Sequence, residues 1–388
     1  MPTVADIAGY LNSFAPISRA AEWDNVGLLL GEGSAAVRRV LTCLTVTPEV
    51  VDEAVQTGVN LIVTHHPMMF RPVKKITDQD PAGRMLLALL KAGVAVYSPH
   101  TAFDNCVGGI NDMLAAKLGL VEVASLRPFE SARQCKIVVF VPQSDLAKVM
   151  DAMFAAGAGV IGQYRECSFR LSGTGTFFGS EETNPTVGRK GRREEVSEWR
   201  LELVCPEAKL AGVITAMRKA HSYEEPAFDV YPLQPGRETN GEGRIGFLPD
   251  GLPLGDFARR VRGELKCGPV QVVGEVDRPI QRVALACGAA GEFLQDAIRQ
   301  GADLFLCGEI RFHDCLKAIA SNISLILPGH YATERFGIEA LAFQLAQVFA
   351  ELAVTASQSE RAPSARSARP GAGAGASRKR RAWPVPPS

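Results

Sequence analysis

Several side chains of metal-ligand type occur at a few positions of the 388-residue sequence. Two adjacent histidines, His65 and His66, end the apolar run LIVTHHPMMF, and GHYATER places His330 and Glu334 four residues apart. Residues four apart lie on one face of a helix, so both can reach a single point. Neutral imidazole and carboxylate are mixed nitrogen and oxygen donors that first-row divalent ions accept. These residues therefore suggest a divalent metal site.

A further donor, Asp104, lies in SPHTAFDN, four residues after His100. Asp104 and the four residues above make five donors, one more than a closed tetrahedral site needs. Five donors suit two ions that share a bridging ligand. The spacing of His330 and Glu334 also recurs in reverse order in CGEIRFHD, with Glu309 and His313.

Each of these features has an ordinary structural explanation. A helical His-x₃-Glu pair is often a surface contact, and an aspartate after a strand often caps the next helix, as Asp104 could for GGINDMLAAKL. An isolated HH pair is often one hydrogen-bonded core histidine beside an exposed one. Five of the six histidines, however, lie at predicted strand ends or in the turns that follow them, and together they favour the metal site.

The elements that would position these residues alternate between strand and helix. Residues 38–120 and 281–352 each contain about three short apolar strands followed by helical segments, which is typical of parallel sheets covered on both faces. Pro48 and Gly58 mark the start and end of one predicted helix, and ATERFGIEALAFQLAQVFAEL predicts a long amphipathic one. The candidate ligands follow strand ends, where ligands bind in open α/β sheets.

The stretch between these halves, roughly residues 130–235, has the element order β-α-β-β-α-β, which predicts a ferredoxin-like insertion. We therefore expect an α/β fold in which two βα-repeat halves form one metal-binding domain, interrupted by an inserted ferredoxin-like α+β domain. The predicted boundaries are 1–128, 129–235 and 236–353, followed by a disordered basic tail at 354–388. The inserted segment GRKGRREE is interpreted either as an anion site or as a solvated loop.

The composition excludes some classes of protein and limits others. Lys+Arg and Asp+Glu number 42 each, so no net field indicates a nucleic-acid or membrane partner. The tail, with seven basic residues against one acidic, could contact a polyanion, although such runs are usually solvated. The nine cysteines are scattered and never form a CxxC pair, which argues against a disulfide framework or thiolate zinc site. We expect a cytoplasmic protein without a membrane segment.

Five motifs, in order, resemble a known family. They are WDNVGLLLG (23–31), LIVTHHPMMF, SPHTAFDNCVGGINDMLA, GADLFLCGEIRFHD and PGHYATERFGIEAL. They are similar to motifs of the Nif-three-like dinuclear metal-centre proteins, catalogued as GTP cyclohydrolase 1 type 2 homologues. The resemblance spans roughly 1–125 and 240–352, and the central module looks like the PII/CutA-like domain inserted in longer bacterial members. The tail has no counterpart in this resemblance.

The resemblance implies metal ligands at His65, His66, Asp104, His330 and Glu334, all present in the expected residue type. It implies two divalent ions per subunit, and the donors accept zinc, iron, manganese, cobalt or nickel. It also implies a ring-shaped homohexamer. His100, Glu309 and His313 would then orient ligands or move protons. Asp24 and Asn25 of the WDNVG loop are weaker candidates, because that loop could serve packing alone.

Such a site predicts a metal-dependent hydrolase acting on a nucleotide-like or other small polar substrate. The sequence contains no GxxxxGK[ST] motif and no GxGxxG after a strand, so no phosphate cradle supports GTP in particular. Two other classes stay open. One is a regulatory or scaffold protein whose inserted module senses a small ligand, and the other is a metal-handling protein in which the ions are cargo.

Overall fold

The computed structural model describes residues 1–362, which fold into two compact units. Met1–Arg127 and the described residues from Glu242 onward form the first, which we call the discontinuous unit. Pro128–Gly241 form the second, the inserted unit. None of the helices in residues 1–362 has the length and apolar character needed to span a membrane.

The first segment of the discontinuous unit alternates strands with helices. Its elements are α1 (Val4–Phe14), β1 (Gly27–Leu30), β2 (Arg39–Cys43), α2 (Pro48–Thr57), β3 (Leu61–Thr64), α3 (Pro81–Ala92), β4 (Ala95–Ser98), α4 (His100–Asn105), α5 (Ile110–Lys117) and β5 (Val121–Glu130). The predicted bounds of α2 are confirmed: Thr47 caps it, Pro48 is its first residue, and Gly58 ends it in the left-handed conformation.

The inserted unit has the predicted ferredoxin-like order of elements. They are β6 (Gln134–Pro142), α6 (Leu146–Ala155), β7 (Phe169–Phe178), β8 (Arg193–Pro206), α7 (Leu210–Ala220) and β9 (Phe228–Pro232). The sheet order is β7-β8-β6-β9 and every pairing is antiparallel. Apolar residues of β6, β8 and the two helices form its core. The α+β prediction for this segment is confirmed.

The second segment of the discontinuous unit repeats the alternation. Its elements are β10 (Arg237–Pro253), α8 (Leu254–Leu265), β11 (Gln271–Val273), β12 (Pro279–Ala289), α9 (Leu294–Arg299), β13 (Leu304–Glu309), α10 (Phe312–Ala320), β14 (Ser324–Leu327), α11 (His330–Val348) and β15 (Ala353–Ala356). The chain leaves the discontinuous unit through β5 and returns through β10, and these two strands are neighbours in one sheet.

The discontinuous unit contains two sheets with parallel centres. One has the order β1-β4-β3-β2-β15, with β1 antiparallel to β4. The other has the order β11-β14-β13-β12-β10-β5, with β12, β13 and β14 parallel. The α/β prediction is therefore confirmed. Each sheet also takes one edge strand from the other sequence segment: β15 joins the first, and β5 joins the second.

Helix α11 contacts strands of both sheets, β2 and β15 in one and β12 and β13 in the other. We predicted an amphipathic helix, but its apolar residues are not confined to one stripe, because two sheets rather than one pack against it. The Thr42 hydroxyl of β2 donates to the Ile338 carbonyl of α11 at 3.1 Å. The carboxyl ends of β3, β12 and β13 lie close to the start of α11, since His66, Gly288 and Glu309 all approach His330.

The predicted start of the disordered tail at residue 354 is wrong. Residues 353–356 form β15, which pairs in parallel with β2. Beyond it, Glu360 is buried, and its carboxylate accepts hydrogen bonds from the backbone N–H groups of Leu44 and Thr45 at 2.9 and 2.6 Å. No strong strand pattern marks this segment, because AVTA is short and followed by polar residues. The rest of the predicted tail, residues 363–388, lies outside the described residues.

Candidate metal centre

His65 and His66 follow the last residue of β3 and extend its pairing with β2. Their backbone N–H groups donate to the carbonyl oxygens of Cys43 and Leu44 at 2.9 and 2.8 Å. Pro67 comes next, and a proline cannot donate to a sheet ladder. The two imidazole centroids lie 5.1 Å apart. The end of β3 therefore brings both rings to one place.

His330 and Glu334 lie on one face at the start of α11. Nε2 of His330 is 3.1 Å from Oε2 of Glu334, and Nε2 of His66 is 3.1 Å from each of those two atoms. Gly288 of β12 has φ +65° and leaves room for the carboxylate, since an added Cβ would lie 2.2 Å from Oε1 of Glu334. Donors from both segments of the discontinuous unit thus meet at the end of β12.

His65 is fully buried, and neither of its ring nitrogens has a hydrogen-bond partner among residues 1–362. The nearest carboxylate oxygens, Oδ1 of Asp104 and Oε1 of Glu334, lie 3.5 and 3.9 Å from its Nε2. Burial lowers the pKa of His65 well below its ordinary value, so the ring is neutral. A buried polar group without a partner costs about 1–3 kcal/mol. A neutral imidazole in this position has a free nitrogen lone pair that a metal ion could bind.

Helix α4 contributes His100 and Asp104. His100 has φ +26°, a strained value of the kind that concentrates at functional sites. Its ring centroid lies 5.0 Å from that of His65 and 5.5 Å from that of His66. Asp104 does not cap the next helix, because α5 begins without a side-chain cap. Its Oδ1 accepts instead a hydrogen bond from Sγ of Cys287 at 3.1 Å.

The charges in the cluster follow from burial and from the ion pairs within it. Burial and the nearby Glu334 raise the pKa of Asp104 to about 7. Burial also opposes the charged form of Glu334, but hydrogen bonds from His330 and His66 outweigh it and hold its pKa below the ordinary range. His330 is the counterpart: burial lowers its pKa, yet Glu334 and Glu309 raise it to about 9. The cluster therefore strongly favours a cation beside Glu334.

The ligand-type atoms fall into two groups that share one residue. His65, His66 and His100 form one group, and His66, His330 and Glu334 form the other. Within each group the candidate donor atoms lie within 4.8 Å of one another. Two adjacent groups of three donors are what a centre for two ions requires, with further oxygen donors close by.

Three neighbours fix the orientation of the histidine rings. Oγ1 of Thr45 lies 2.8 Å from Nδ1 of His66, and Oε1 of Glu309 lies 2.9 Å from Nδ1 of His330. Oδ1 of Asp24 lies 2.8 Å from Nδ1 of His100. The pKa of Asp24 is lowered, because hydrogen bonds from His100 and Thr101 outweigh its burial. Each pairing engages Nδ1 and leaves Nε2 to the cluster.

The structure distinguishes among the weaker predicted residues. Glu309 lies at the end of β13, not on a helix with His313, so the helical-face argument does not apply to that pair. His313 is exposed on α10, its ring beside Phe312, and no described contact joins it to the cluster. Asp24 touches His100 directly, whereas Asn25 donates to the Met69 carbonyl and joins two loops.

Sequence reasoning missed Thr45, Cys287 and Glu360. Thr45 lies just after β2, at the same sheet edge as the histidines, and that position was the available signal. Cys287 lies in the apolar run VALACG, and nothing local indicated a bond to Asp104. Glu360 lay in a segment that we predicted to be disordered. Its role depends on β15, which pairs with a strand more than 300 residues earlier.

A cavity of about 440 Å³ opens over the cluster. Its lining includes three histidines of the cluster, His66, His100 and His330. Aromatic rings form another part, with Trp23 and Phe70 stacked at 6.4 Å between centroids. The volume and the mixture of rings with a few polar groups suit a small molecule.

The donor set fits a pair of divalent ions. It is made of imidazole nitrogens and carboxylate oxygens, and its ligands come from rigid strand ends and helix starts. The orienting partners Thr45, Glu309 and Asp24 lie where metal-ligating histidines usually have them. The unpartnered nitrogens of buried His65 are the strongest sign, because a metal ion would satisfy one of them.

Comparison with known proteins identifies a family and a fold. A family model described as Duf34/NIF3 (NGG1p interacting factor 3) matches residues 2–363, which include the inserted unit and extend past the predicted start of the tail. Proteins named GTP cyclohydrolase 1 type 2 homolog are 39% identical in Halalkalibacterium halodurans and 38% in Bacillus subtilis. These alignments cover 82% of this chain and 85% or 86% of the relative.

Solved structures agree with this relationship over nearly the whole chain. A Bacillus cereus protein related to NIF3 is 36% identical with a TM-score of 0.66, covering 93% of this chain and 98% of its own. A Staphylococcus aureus protein is 28% identical with a TM-score of 0.77 and the same coverage. Both similarities extend across the discontinuous and inserted units.

Proposed function

The chain belongs to the Duf34/NIF3 family, and from this premise we propose that it is a divalent-metal-dependent hydrolase. The proposed centre holds two ions per subunit. His65, His66, Asp104, His330 and Glu334 are the proposed ligands, and His100 lies beside His65 and His66. Zinc, iron, manganese, cobalt and nickel all suit such donors.

One observation carries the proposal: His65 is fully buried at the centre of the cluster with both ring nitrogens unpartnered. In a purely structural site, burial would select an apolar side chain or a hydrogen-bonded one. The four other proposed ligands and His100 surround it, and the rings of His66, His100 and His330 are oriented through Nδ1. A metal site explains the burial, the unpartnered nitrogens and the orientation together.

When bound, two divalent ions would supply Lewis-acid chemistry suited to hydrolysis. The chain itself supplies the other functions. His100, which lines the cavity and is held by Asp24, is the proposed residue for proton transfer to or from the substrate. Glu309 accepts from Nδ1 of His330 and fixes its tautomer. His313 keeps only the weaker proposal of a proton-transfer role, because its side chain is exposed.

The proposed substrate is nucleotide-like or another small polar molecule. The relatives' name, GTP cyclohydrolase 1 type 2 homolog, suggests a purine ring as one candidate. The stacked rings of Trp23 and Phe70 would suit a planar heterocycle. The described lining of the cavity also includes Glu242 and Glu292 and contains no lysine or arginine, so this lining does not favour a triphosphate.

Elemental analysis of the native protein, paired with metabolite profiling, tests the proposal. We expect close to two ions per chain and a small molecule that wild type consumes and Glu334→Ala does not. Glu339→Ala is the matched control, because Glu339 is exposed on the same helix. Tightly bound metal without any substrate among nucleotides, cyclic amidines and phosphoesters would favour a regulatory protein. Metal that exchanges readily would favour a metal-handling protein.

We further propose a cytoplasmic homohexamer. The hexamer rests on the family resemblance, and the cellular location on the cysteines, all nine of which are unpaired, as in a reducing compartment. Analytical ultracentrifugation of the metal-loaded protein tests the assembly. A monomer or dimer at micromolar concentration would contradict it.

Contact of the basic tail with a polyanion stays a secondary proposal, testable by comparing RNA binding with and without residues 363–388.

A further inference from the structure

The inserted unit contains a cavity of about 480 Å³ that has no part in the metal centre. It is formed by the end of β7, the loop that follows, the start of β8 and the segment before β9. Pockets of this size typically hold a small molecule. We call it the inserted-unit cavity.

Aromatic rings form much of its lining. Phe140 comes from β6, Phe177 and Phe178 from the end of β7, and Tyr223 from the segment after α7. Tyr223 is held in place by His221, whose Nδ1 accepts from the Tyr223 backbone N–H at 3.0 Å. The faces of such rings carry partial negative charge and attract cations.

The charged residues of the lining are all acidic. Glu198, Glu224 and Glu225 contribute carboxylates, and no lysine, arginine or histidine is among the lining residues that the structure describes. Glu198 lies across Gly175 of β7, where an added Cβ would be 2.2 Å from its Oε2. Glycine at this position therefore gives the carboxylate its place in the cavity wall.

Tyr223 adds a buried hydroxyl beside Glu198. No hydrogen bond of ordinary geometry engages this oxygen among residues 1–362, and the Glu198 carboxylate is its nearest acidic neighbour. Burial and the nearby Glu198 raise the pKa of Tyr223, so the hydroxyl stays neutral. A hydroxyl oxygen can accept a hydrogen bond from an ammonium group.

In the neighbouring basic run GRKGR, two of the three cationic side chains lie beside carboxylates of the same loop. Arg192 Nε donates to Oε1 of Glu194 at 2.5 Å, and the Arg189 backbone N–H donates to the same oxygen at 2.9 Å. Nζ of Lys190 lies 3.7 Å from Oε2 of Glu181. We therefore base no anion site on this segment.

We propose that the inserted-unit cavity binds a small organic cation, an ammonium group attached to an apolar or aromatic body. The aromatic rings take the apolar body, and the Glu198 carboxylate and Tyr223 hydroxyl take the ammonium group. Glu224 and Glu225 add attraction at the rim. This ligand is separate from the substrate of the metal centre.

Calorimetric titration of the full-length, metal-loaded protein tests the proposal with three probes of similar shape. They are 2-phenylethylammonium, uncharged 2-phenylethanol and anionic phenylacetate. We expect the cation to bind, the alcohol to bind at least about tenfold more weakly because it lacks the charge-assisted hydrogen bond, and the anion not to bind. Equal binding of cation and alcohol, preference for the anion, or no binding of any probe at about 10 mM would overturn the proposal.

Two variants and two controls locate the binding. Glu198→Gln and Tyr223→Phe are each expected to weaken cation binding several-fold, about tenfold for Glu198→Gln. Glu181→Gln is the matched control, since Glu181 is exposed in the same unit outside the lining. Glu334→Ala removes a proposed metal ligand that lies outside the cavity, and it should leave cation binding unchanged. This control tests whether the cavity binds its ligand independently of the metal centre. Circular dichroism checks folding, and unchanged affinity in both folded lining variants would refute the assignment.

Discussion

Single residues in the candidate metal centre depend on atoms that lie far away in the sequence. Glu334 can approach β12 only because residue 288 is a glycine, and Asp104 is bonded to the thiol of Cys287. The ligand types and the strand-end positions were predictable, because they are properties of short motifs. The closeness of His100 to His65 was not, since it depends on a strained φ in α4. Likewise, the position of Thr45 after β2 did not by itself show that its hydroxyl would orient His66.

Gly288→Ala provides a test at this scale. The new Cβ would lie 2.2 Å from Oε1 of Glu334 and 3.2 Å from Nε2 of His330, so we expect metal affinity to fall at least about tenfold. Gly301→Ala is the matched control, because Gly301 has nearly the same φ, +66° against +65°, with no atom closer than 4.0 Å.

Both variants should lose about 1 kcal/mol of stability from the left-handed backbone, and only Gly288→Ala should also lose metal. Metal content after gel filtration and the midpoint of urea unfolding separate the two effects. Equal metal content in the two variants would contradict the assigned place of Glu334.

At the scale of elements, the C-terminal segment beyond β15 holds the loop that orients His66. Glu360 accepts from the Thr45 backbone N–H, and Thr45 contacts the imidazole. Arg335 of α11 donates to the same carboxylate at 2.5 Å and to the Ser357 carbonyl at 2.7 Å.

The alternation of strands and helices was predictable from apolar runs. The pairing of β15 with β2 was not, because periodicity does not say which strands are neighbours.

We expect Glu360→Ala to lower the free energy of unfolding by about 3 kcal/mol, because it leaves the largely buried Arg335 and two backbone N–H groups without their acceptor. Metal affinity should fall as well, since Thr45 loses its position. Glu339→Ala removes the exposed partner of the same arginine and should cost less than about 1 kcal/mol. Chemical denaturation measures both variants, and equal losses would contradict the assigned role.

A second carboxylate makes the attachment of this segment dependent on pH. Burial opposes the charge of Glu53, but hydrogen bonds from Gln358, Ser357 and Ser359 outweigh it and lower its pKa from the ordinary 4.5. A carboxyl group with a lowered pKa contributes stability above its unfolded-state pKa, and loses it as the pH falls through the folded-state pKa.

Glu53→Gln should therefore be less stable than wild type near neutral pH, and the difference should shrink as the pH falls below 4.5. Urea unfolding at several pH values measures this difference. Asp52→Asn, an exposed change on the same helix, serves as the control and should show no such trend. A constant difference between Glu53→Gln and wild type down to about pH 3 would contradict the prediction.

At the scale of the whole molecule, every candidate metal ligand lies in the discontinuous unit. The insertion leaves and returns through neighbouring strands, β5 and β10, and Nη1 of Arg127 lies 3.3 Å from Oε2 of Glu242. The insertion was predictable from the change to a β-α-β-β-α-β order. The division of the two outer segments into two sheets with shared edge strands was not.

Replacing residues 128–241 with a short glycine-serine linker should preserve the metal centre. We expect the same number of ions per chain as in the full-length protein, because no proposed ligand or orienting partner is removed. Elemental analysis gives the comparison, with Glu334→Ala in the shortened chain as the metal-free control. A shortened chain that folds but retains no metal would show that the inserted unit supports the centre.

The order of the ligands along the chain also affects how the protein is made. His65, His66, His100 and Asp104 precede the insertion, whereas His330 and Glu334 follow it. A ribosome that adds about 5–20 residues per second needs roughly 10–50 seconds to travel from the first group to the second. During that interval the nascent chain carries a half-built site, while the inserted unit is complete and free to fold. Capture of metal by all the proposed ligands would thus be confined to the last stage of translation or to the released polypeptide.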